Sequence, residues 1–520
     1  MKSILKFLFL SLVITNCGGG TNESENLSQF AYEPSIPITI WQKDVFLPAS
    51  NFKNKCSIPR TGINPSTNTS YPDTKGQRLD ENNFLRSYSN NTYLWYDKIV
   101  DENPEPFLTT EYFQKLKTPE DRFHFSIPTN EWYQLSQSGI EIGYGASWAI
   151  NAETNKIFVL YTEPNSPATL DENNLERGDE IIAIDGVEIN QLTSNILINN
   201  ALYPDESEKT HSFRIKKNSS GEIVDISMSS TTITKSPIQN TKVIATDTGK
   251  VGYLLFNDHI ATAEKGLFDA ITLLKENNIN DLILDLRYNG GGYLAIANQL
   301  TYMLAGPEAT AGKIFERLEF NDKHPLNNPV TGEVIKGIPF YPSTIGLSSI
   351  ETNTPLPTLS LNTGSLGKNR IFVITTNETC SASESIINSL IGLDIEVIQI
   401  GTKTCGKPYG FYPADNCGTT YFTIQFKGIN SRGFGDYADG FRPRNNSNEI
   451  NMPVGCLVTD DIKHPLGDIN ELAVATALAY RVTNTCPSIV STRNELQIQN
   501  KKNESRRIIK KSPWLTNRIF

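Results

Sequence analysis

Between residues 248 and 485, short apolar runs alternate with stretches of helical periodicity, and this alternation constrains the fold more than any other feature of the chain. Val251–Phe256 (VGYLLF), Leu282–Leu286 (LILDL), Arg370–Thr375 (RIFVIT) and Glu396–Gly401 read as strands, with a further strand at Tyr421–Lys427. Runs this short, bounded by turn residues, fit strands buried on both faces. Between them, Thr262–Asn277 places Leu267, Phe268, Ile271 and Leu274 on one helical face. Tyr293–Leu304 and Ala382–Leu390 read as helices, and a last one near Asn470–Tyr480 carries Leu472, Ala473, Ala475 and Leu478. Such an order predicts α/β layers built on a largely parallel sheet. Residues 306–365, dense in Pro, Gly, Asn and Thr, are expected to leave this core and to cover the site.

Three further segments precede the core, here taken as residues 240–485. Residues 140–235 read as a separate β-rich domain: Lys156–Glu163 is a strand, Pro164-Asn165-Ser166-Pro167 a turn, and Gly178-Asp179 feeds the apolar run Ile181–Ile184, closed by Asp185-Gly186. Residues 78–139 read as a small helical region, with Phe84, Leu85, Tyr88, Leu94, Trp95, Tyr96 and Ile99 at near-helical spacing and a second helix over Thr110–Leu116. Residues 18–77, rich in Asn, Ser, Thr and Pro, read as a flexible tether.

The beginning of the chain carries an export signal. Lys2 and Lys6 flank the start of an apolar run, Ile4 to Ile14. The run is shorter than the ~20 residues a membrane span needs and fits the apolar region of a signal peptide over residues 1–17. It ends in Val13-Ile14-Thr15-Asn16-Cys17, which resembles a bacterial lipobox with Asn16 where a small residue is usual. Lipidation of Cys17 would anchor the protein to the cell envelope, with the outer membrane preferred because Gly18 follows; an ordinary cleaved signal is the alternative. Six cysteines remain besides Cys17, enough for three disulfides, and a bridge between Cys405 and Cys417 is expected across the intervening Gly/Pro-rich stretch. Their spacing fits no zinc pattern, and no metal or cofactor is expected. A net charge of −10 argues against nucleic acid as a partner. Residues 486–520 form a basic tail, read as solvated, with contact to anionic lipid as the alternative. Oligomeric state is left open.

Three loops carry the candidate chemistry. Thr379-Cys380-Ser381-Ala382-Ser383-Glu384 joins a strand to a helix, placing Ser381 at a helix N-terminus whose free N–H groups favour negative charge. Ser-x-x-Glu is equally a capping box. Gly401-Thr402-Lys403-Thr404-Cys405-Gly406-Lys407-Pro408 follows the next strand, so parallel pairing brings Lys407 to the same edge of the sheet as Ser381. A lysine acts as a base only when neutral, which burial among apolar groups promotes. Asp285-Leu286-Arg287-Tyr288-Asn289-Gly290-Gly291-Gly292 is a glycine loop after a buried strand, suited to an oxyanion site or to a plain tight turn.

Together, LILDLRYNGGG, CSASES and GTKTCGKP resemble the motifs of the C-terminal processing, or tail-specific, serine peptidase family. The likeness spans roughly residues 80–485 and implies a crotonase-like ββα catalytic core. By it, Ser381 is the nucleophile, Lys407 the base, and Ala382 with Gly290 or Gly291 supplies the oxyanion N–H groups. The block around Leu175–Gly186 resembles an inserted PDZ domain, whose carboxylate-binding loop would be Ile142-Gly143-Tyr144-Gly145. The resemblance implies a serine endopeptidase acting on exported or envelope polypeptides near their C-termini. The rival is a non-catalytic peptide-binding lipoprotein with a relic core. Many members place a Gln four residues after the lysine to orient it; here that position is Phe411, and Gln425 is the candidate substitute. A Ser-His-Asp arrangement would have to draw on His259 or His324, and neither lies in a supporting motif.

Overall fold

The structure is a computed structural model that describes residues 41–487 except 66, 152–153, 192–194, 362–368 and 445–447, together with 506–508 and 518–519. Two units are distinguished, Met1–Gln42 and Lys43–Phe520, and the second holds every element considered below. The export signal, Cys17 and residues 18–40 of the expected tether lie outside the described residues. Among the described residues no helix is long and apolar enough to cross a membrane.

The core is a six-stranded sheet. Strands β1 (Ile238–Thr246) and β2 (Gly249–Phe256) form an antiparallel pair. Strands β3 (Asp281–Asp285), β4 (Arg370–Thr375), β5 (Glu396–Gly401) and β6 (Val454–Leu457) then join in parallel, in chain order. The period of two along each strand divides its side chains between two faces. Leu254, Leu282, Leu284 and Val373 pack against helices α1 (Ala263–Glu276), α2 (Leu294–Thr310) and α3 (Ala382–Gly392). Tyr253, Ile283, Phe372 and Ile398 face α4 (Leu472–Thr483) through Ala473, Val474 and Ala477. Both faces are therefore dry, as the uninterrupted apolar runs demand.

The run Tyr421–Lys427 does not extend this sheet. Thr419–Phe422 pairs with Phe125–Pro128 of the helical region, and Phe426–Ile429 pairs with Tyr409–Gly410 and Ile314–Glu319. An apolar run states that a strand is buried without stating in which sheet. The last parallel strand is instead β6, which the sequence reading missed. Residues 306–365 also differ from expectation. Phe340, Leu356, Leu359 and Leu361 pack into the core formed by α1, α2 and α3. The Glu264 carboxylate accepts the N–H groups of Ile345, Leu347 and Ser348 at 2.8, 2.7 and 3.1 Å. The segment clothes the helix layer.

The helical region holds helices over Arg78–Thr92, Thr109–Lys115 and Thr129–Ser138, so Leu94, Trp95, Tyr96 and Ile99 lie beyond the first helix and not on its face. The described part of the tether, residues 43–65 and 67–77, is mostly exposed but is docked through Phe52 and Cys56. Phe52 is buried in one cluster with Phe84 and Phe113, Ser57 bonds to Glu81, and Cys56 is joined to Cys417. The covalent tie explains how so polar a segment stays ordered. The expected Cys405–Cys417 bridge is not made: Cys405 pairs with Cys380 and Cys456 with Cys486.

The β-rich domain has its own core around Trp148, Val159, Ile181, Phe213 and Ile215. Its sheet runs Ile223–Ser229, Thr210–Lys216, Glu180–Ile184, Ile157–Thr162, Ala146–Asn151, and then Arg506–Ile508 from the basic tail. The tail's Arg518–Ile519 pairs in parallel with Gly292–Tyr293, so these two pieces are strands where solvated chain was expected. The remainder of the tail beyond residue 487 lies outside the described residues. The expected carboxylate loop is also different. Ile142 and Gly143 are strand residues paired with Thr232 and Thr231, and Tyr144 is buried edge-on to Phe213.

A buried ionic network couples this domain to the core. Arg177 donates to Tyr288 Oη at 2.6 Å and to Asp460 Oδ1 at 2.7 Å. Arg287 donates to Asp285, Asp460 and Glu471. Burial opposes the charge on Asp460, but the guanidiniums of Arg177 and Arg287 outweigh it and hold the carboxyl at about 2. A depressed folded-state pKa stabilises the fold above the unfolded value near 4, and that contribution is lost as pH falls toward 2. The Asp460→Asn variant leaves two buried guanidiniums short of charge. It is expected to lose about 3 kcal/mol in urea unfolding at pH 7, with a shallower stability loss than the parent between pH 4 and pH 2.

Candidate active site

The loops after β3, β4 and β5 leave the sheet at the same edge, as parallel strands require. The β4 loop ends at Ser381, the residue before α3, with φ 62° and ψ −114°. Positive φ at a residue with a Cβ is strained, by about 1–3 kcal/mol, and persists only where surroundings enforce it. Ser381 is fully buried, and its Oγ makes no hydrogen bond among the described residues. Only the glutamate half of the capping box is made: Ser381 N–H donates to Glu384 Oε2 at 2.9 Å. The hydroxyl is thus not used as a helix cap.

Glu384 is the hub of the site. Its Oε2 accepts the N–H groups of both Ser381 (2.9 Å) and Lys407 (2.8 Å). Its Oε1 accepts Gly406 N–H at 2.8 Å and Thr404 Oγ1–H at 2.5 Å. Burial pushes the Glu384 pKa up from the ordinary glutamate value, against the pull of the donors from Thr404, Lys407, Ser381 and Gly406. The sequence reading gave Glu384 only a helix or capping role. The β5 loop reaches it because Gly406 has φ 81°, where a Cβ would lie 2.1 Å from the carbonyl oxygen of Ala438. The same two loops are joined covalently by the Cys380–Cys405 disulfide, with Cα atoms 5.2 Å apart.

Lys407 is also fully buried. Its Nζ lies 4.5 Å from the ring centre of Phe123 and 4.6 Å from that of Phe411. Burial pushes the Lys407 pKa well below the usual lysine value, opposed by the carboxylates of Asp121 and Glu384. Asp121 is held by Tyr93 Oη at 2.9 Å and by Phe123 N–H at 2.7 Å. Phe123 and Asp121 belong to the helical region and carried no signal in sequence. Gln425 does not take the place of the missing amide. Its Nε2 donates to Tyr88 Oη at 2.6 Å and its Oε1 accepts Tyr412 N–H at 2.7 Å.

The glycine loop is pinned by Asn289. Its carbonyl accepts Cys380 N–H and Ser383 Oγ–H, each at 3.0 Å. Its Oδ1 accepts Gly291 N–H at 2.9 Å and lies 2.9 Å from His259 Nδ1. Gly291 N–H is therefore occupied, whereas those of Gly290 and Ala382 make no hydrogen bond among the described residues. Burial drives the His259 pKa down to about 3, against its bonds to Asn289 and Gly291, so the ring is neutral. His324 bonds to Asn91, and no histidine is bonded to Ser381. Cys380, Glu384 and Cys405 are the group closest to metal-ligand spacing among the described residues, but the two sulfurs are bonded to each other.

Residues 250–410 match the profile of peptidase family S41. The chain is similar to the carboxyl-terminal-processing protease of Picosynechococcus sp., at 26% identity over 200 residues, or 38% of this chain and 47% of the relative. The same holds for the carboxyl-terminal-processing protease of Synechocystis sp., at 29% over 205 residues, 39% of this chain and 43% of the relative. The chain thus spans under half the length of these curated relatives. A crystal structure of an S41 protease from Bacteroides fragilis shares the fold, with a TM-score of 0.58 and 24% identity over 80% of this chain and 98% of that one.

Replacing Glu384 by Ala strips a partner from four buried donors, each costing about 1–3 kcal/mol if left unmet. The expected result is a loss of several kcal/mol in urea unfolding, larger than that of Glu276→Ala on exposed α1 surface.

Proposed function

We propose that the protein is a serine peptidase that hydrolyses polypeptides with a Ser381–Lys407 dyad. The observation that carries this reading is the single Glu384 oxygen that holds the main chains of Ser381 and Lys407 together at a helix N-terminus. Beside it stand a buried serine with an unused hydroxyl and a buried lysine whose pKa burial lowers. In this reading Ser381 Oγ attacks the scissile carbonyl as the Lys407 amine takes its proton. Lys407 then returns that proton to the leaving amine, and water hydrolyses the acyl-enzyme by the same route. The N–H groups of Ala382 and Gly290 hold the oxyanion, aided by the positive end of α3. The hydrogen bond from Ser381 to Lys407 forms when substrate completes the site, as catalytic bonds do in many free enzymes.

The rings of Phe123 and Phe411 supply the dry surroundings that keep the amine neutral, which a hydrogen-bonding glutamine does not need to do alone. The β-rich domain acts as a PDZ-type module that takes an extended polypeptide by strand addition. The edge of its Ala146–Asn151 strand, on which Arg506–Ile508 of the tail already adds as a strand, is the surface for this, since Ile142, Gly143 and Tyr144 are engaged elsewhere. Exported or envelope polypeptides, cut near their C-termini, are the substrates this reading favours, with Cys17 lipidated and the enzyme facing the periplasm or cell surface.

Purified protein incubated with an unstructured polypeptide is expected to cut it. Ser381→Ala and Lys407→Met should each lower kcat by at least about 10²–10⁴ with the thermal midpoint retained. Full activity in either variant overturns the dyad and favours a peptide-binding role. Activity should also depend on pH in one direction at the acid side. Only neutral Lys407 accepts a proton, so kcat/KM falls as pH drops through its depressed pKa and stays high well below the ordinary lysine value.

A further inference from the structure

Cys380 immediately precedes Ser381, and Cys405 stands two residues before Lys407. Their disulfide therefore closes a ring that contains α3 and β5 and whose two ends are the two dyad loops. Around that bond the loops are also tied by hydrogen bonds, among them Cys405 N–H to Thr379 O at 3.0 Å and the three donors that the β5 loop sends to Glu384. The other two disulfides lie elsewhere. Cys56–Cys417 anchors the docked segment after residue 43, and Cys456–Cys486 ties β6 to the chain after α4. Cys380 is buried, while Cys405 is half-buried and so within reach of a small thiol.

We propose that the Cys380–Cys405 disulfide is a positioning element of the dyad, and that its reduction switches peptide hydrolysis off. The inference rests on the Ser381–Lys407 reading and deepens it. Two physical effects act together. Opening the bond removes the shortest covalent link between nucleophile and base, and misplacement by about 1 Å can cost about 10²-fold in rate. The Cys405 sulfur also lies 3.4 Å from Glu384 Oε2. Reduction places a titratable thiol beside the carboxylate that holds both loops, disturbing the hub itself. The chemistry is thiol–disulfide exchange with a dithiol reductant. One thiolate of the reductant attacks Cys405 Sγ, the Cys380–Cys405 bond breaks, and the second thiol of the reductant closes its own disulfide. Two electrons and two protons pass from the dithiol to the two cysteines.

The test is labelling of Ser381 in the full chain by a fluorescent phosphonylating probe, followed as a second-order rate across pH. In Cys380→Ala/Cys405→Ala that rate is expected to fall at least about 10-fold with KM for an unstructured polypeptide little changed. The acid limb should shift to higher pH, because water admitted to the loosened loop raises the Lys407 pKa toward its ordinary value. A purely structural bond would not move that limb. Cys56→Ala/Cys417→Ala should label at the parent rate per folded molecule. Should the Cys380/Cys405 variant not fold, the parent reduced with a dithiol serves instead. Alkylation and mass spectrometry identify the opened bond, and reoxidation should restore labelling. Equal labelling rates and an unmoved acid limb with the bond open overturn the proposal and leave the dyad intact. Absence of labelling in the oxidised parent overturns both.

Discussion

A buried carboxylate with four inward-pointing donors is the interaction on which the site depends. Glu384 belongs to the first turn of α3, and two of its donors come from the main chain of Ser381 and Lys407, the residues of the proposed dyad. A carboxylate taken out of water must recover its lost hydration from the protein. Here it does so by ordering the loops after β4 and β5 around itself. The Ser381 hydroxyl makes no hydrogen bond among the described residues, because the backbones of Ser381 and Lys407 do the holding. The helix N-terminus adds a favourable field for any negative charge that develops beside Ser381.

The second constraint is dryness. Lys407 Nζ lies within 4.6 Å of the centres of two aromatic rings, and burial moves its pKa in the direction a base requires. One of those rings, Phe123, comes from the helical region, which is far from the core in sequence. That region is fastened to the core by Phe125–Pro128, which pairs with Thr419–Phe422. The helical region therefore forms part of the wall of the site, and its aromatic richness has a purpose beyond its own packing.

The sheet was legible because strands β2 to β5 are buried on both faces and read as continuous apolar runs. The helices α1, α3 and α4 were legible from their apolar faces, and the meeting of the Ser381 and Lys407 loops from their places after successive strands. Strand β6 was not, because Val454–Leu457 is short and contains Gly455. Asp121 and Phe123 were hidden for a different reason: nothing local marks a residue whose role is to face a loop hundreds of positions later. Disulfide pairing was misread because sequence nearness favoured Cys417 for Cys405, while the parallel sheet brings the β4 and β5 loops together and so favours Cys380. The tether was misread because composition cannot register that Cys56 is bonded to Cys417.

The backbone of Ser381 carries a last consequence. At φ 62° a glycine would relieve the strain that serine bears, so stability alone would favour glycine at this position by about 1 kcal/mol or more. In the proposed function, chemistry and stability pull this one residue in opposite directions, since the side chain the reaction would use belongs to the residue whose backbone stores conformational energy.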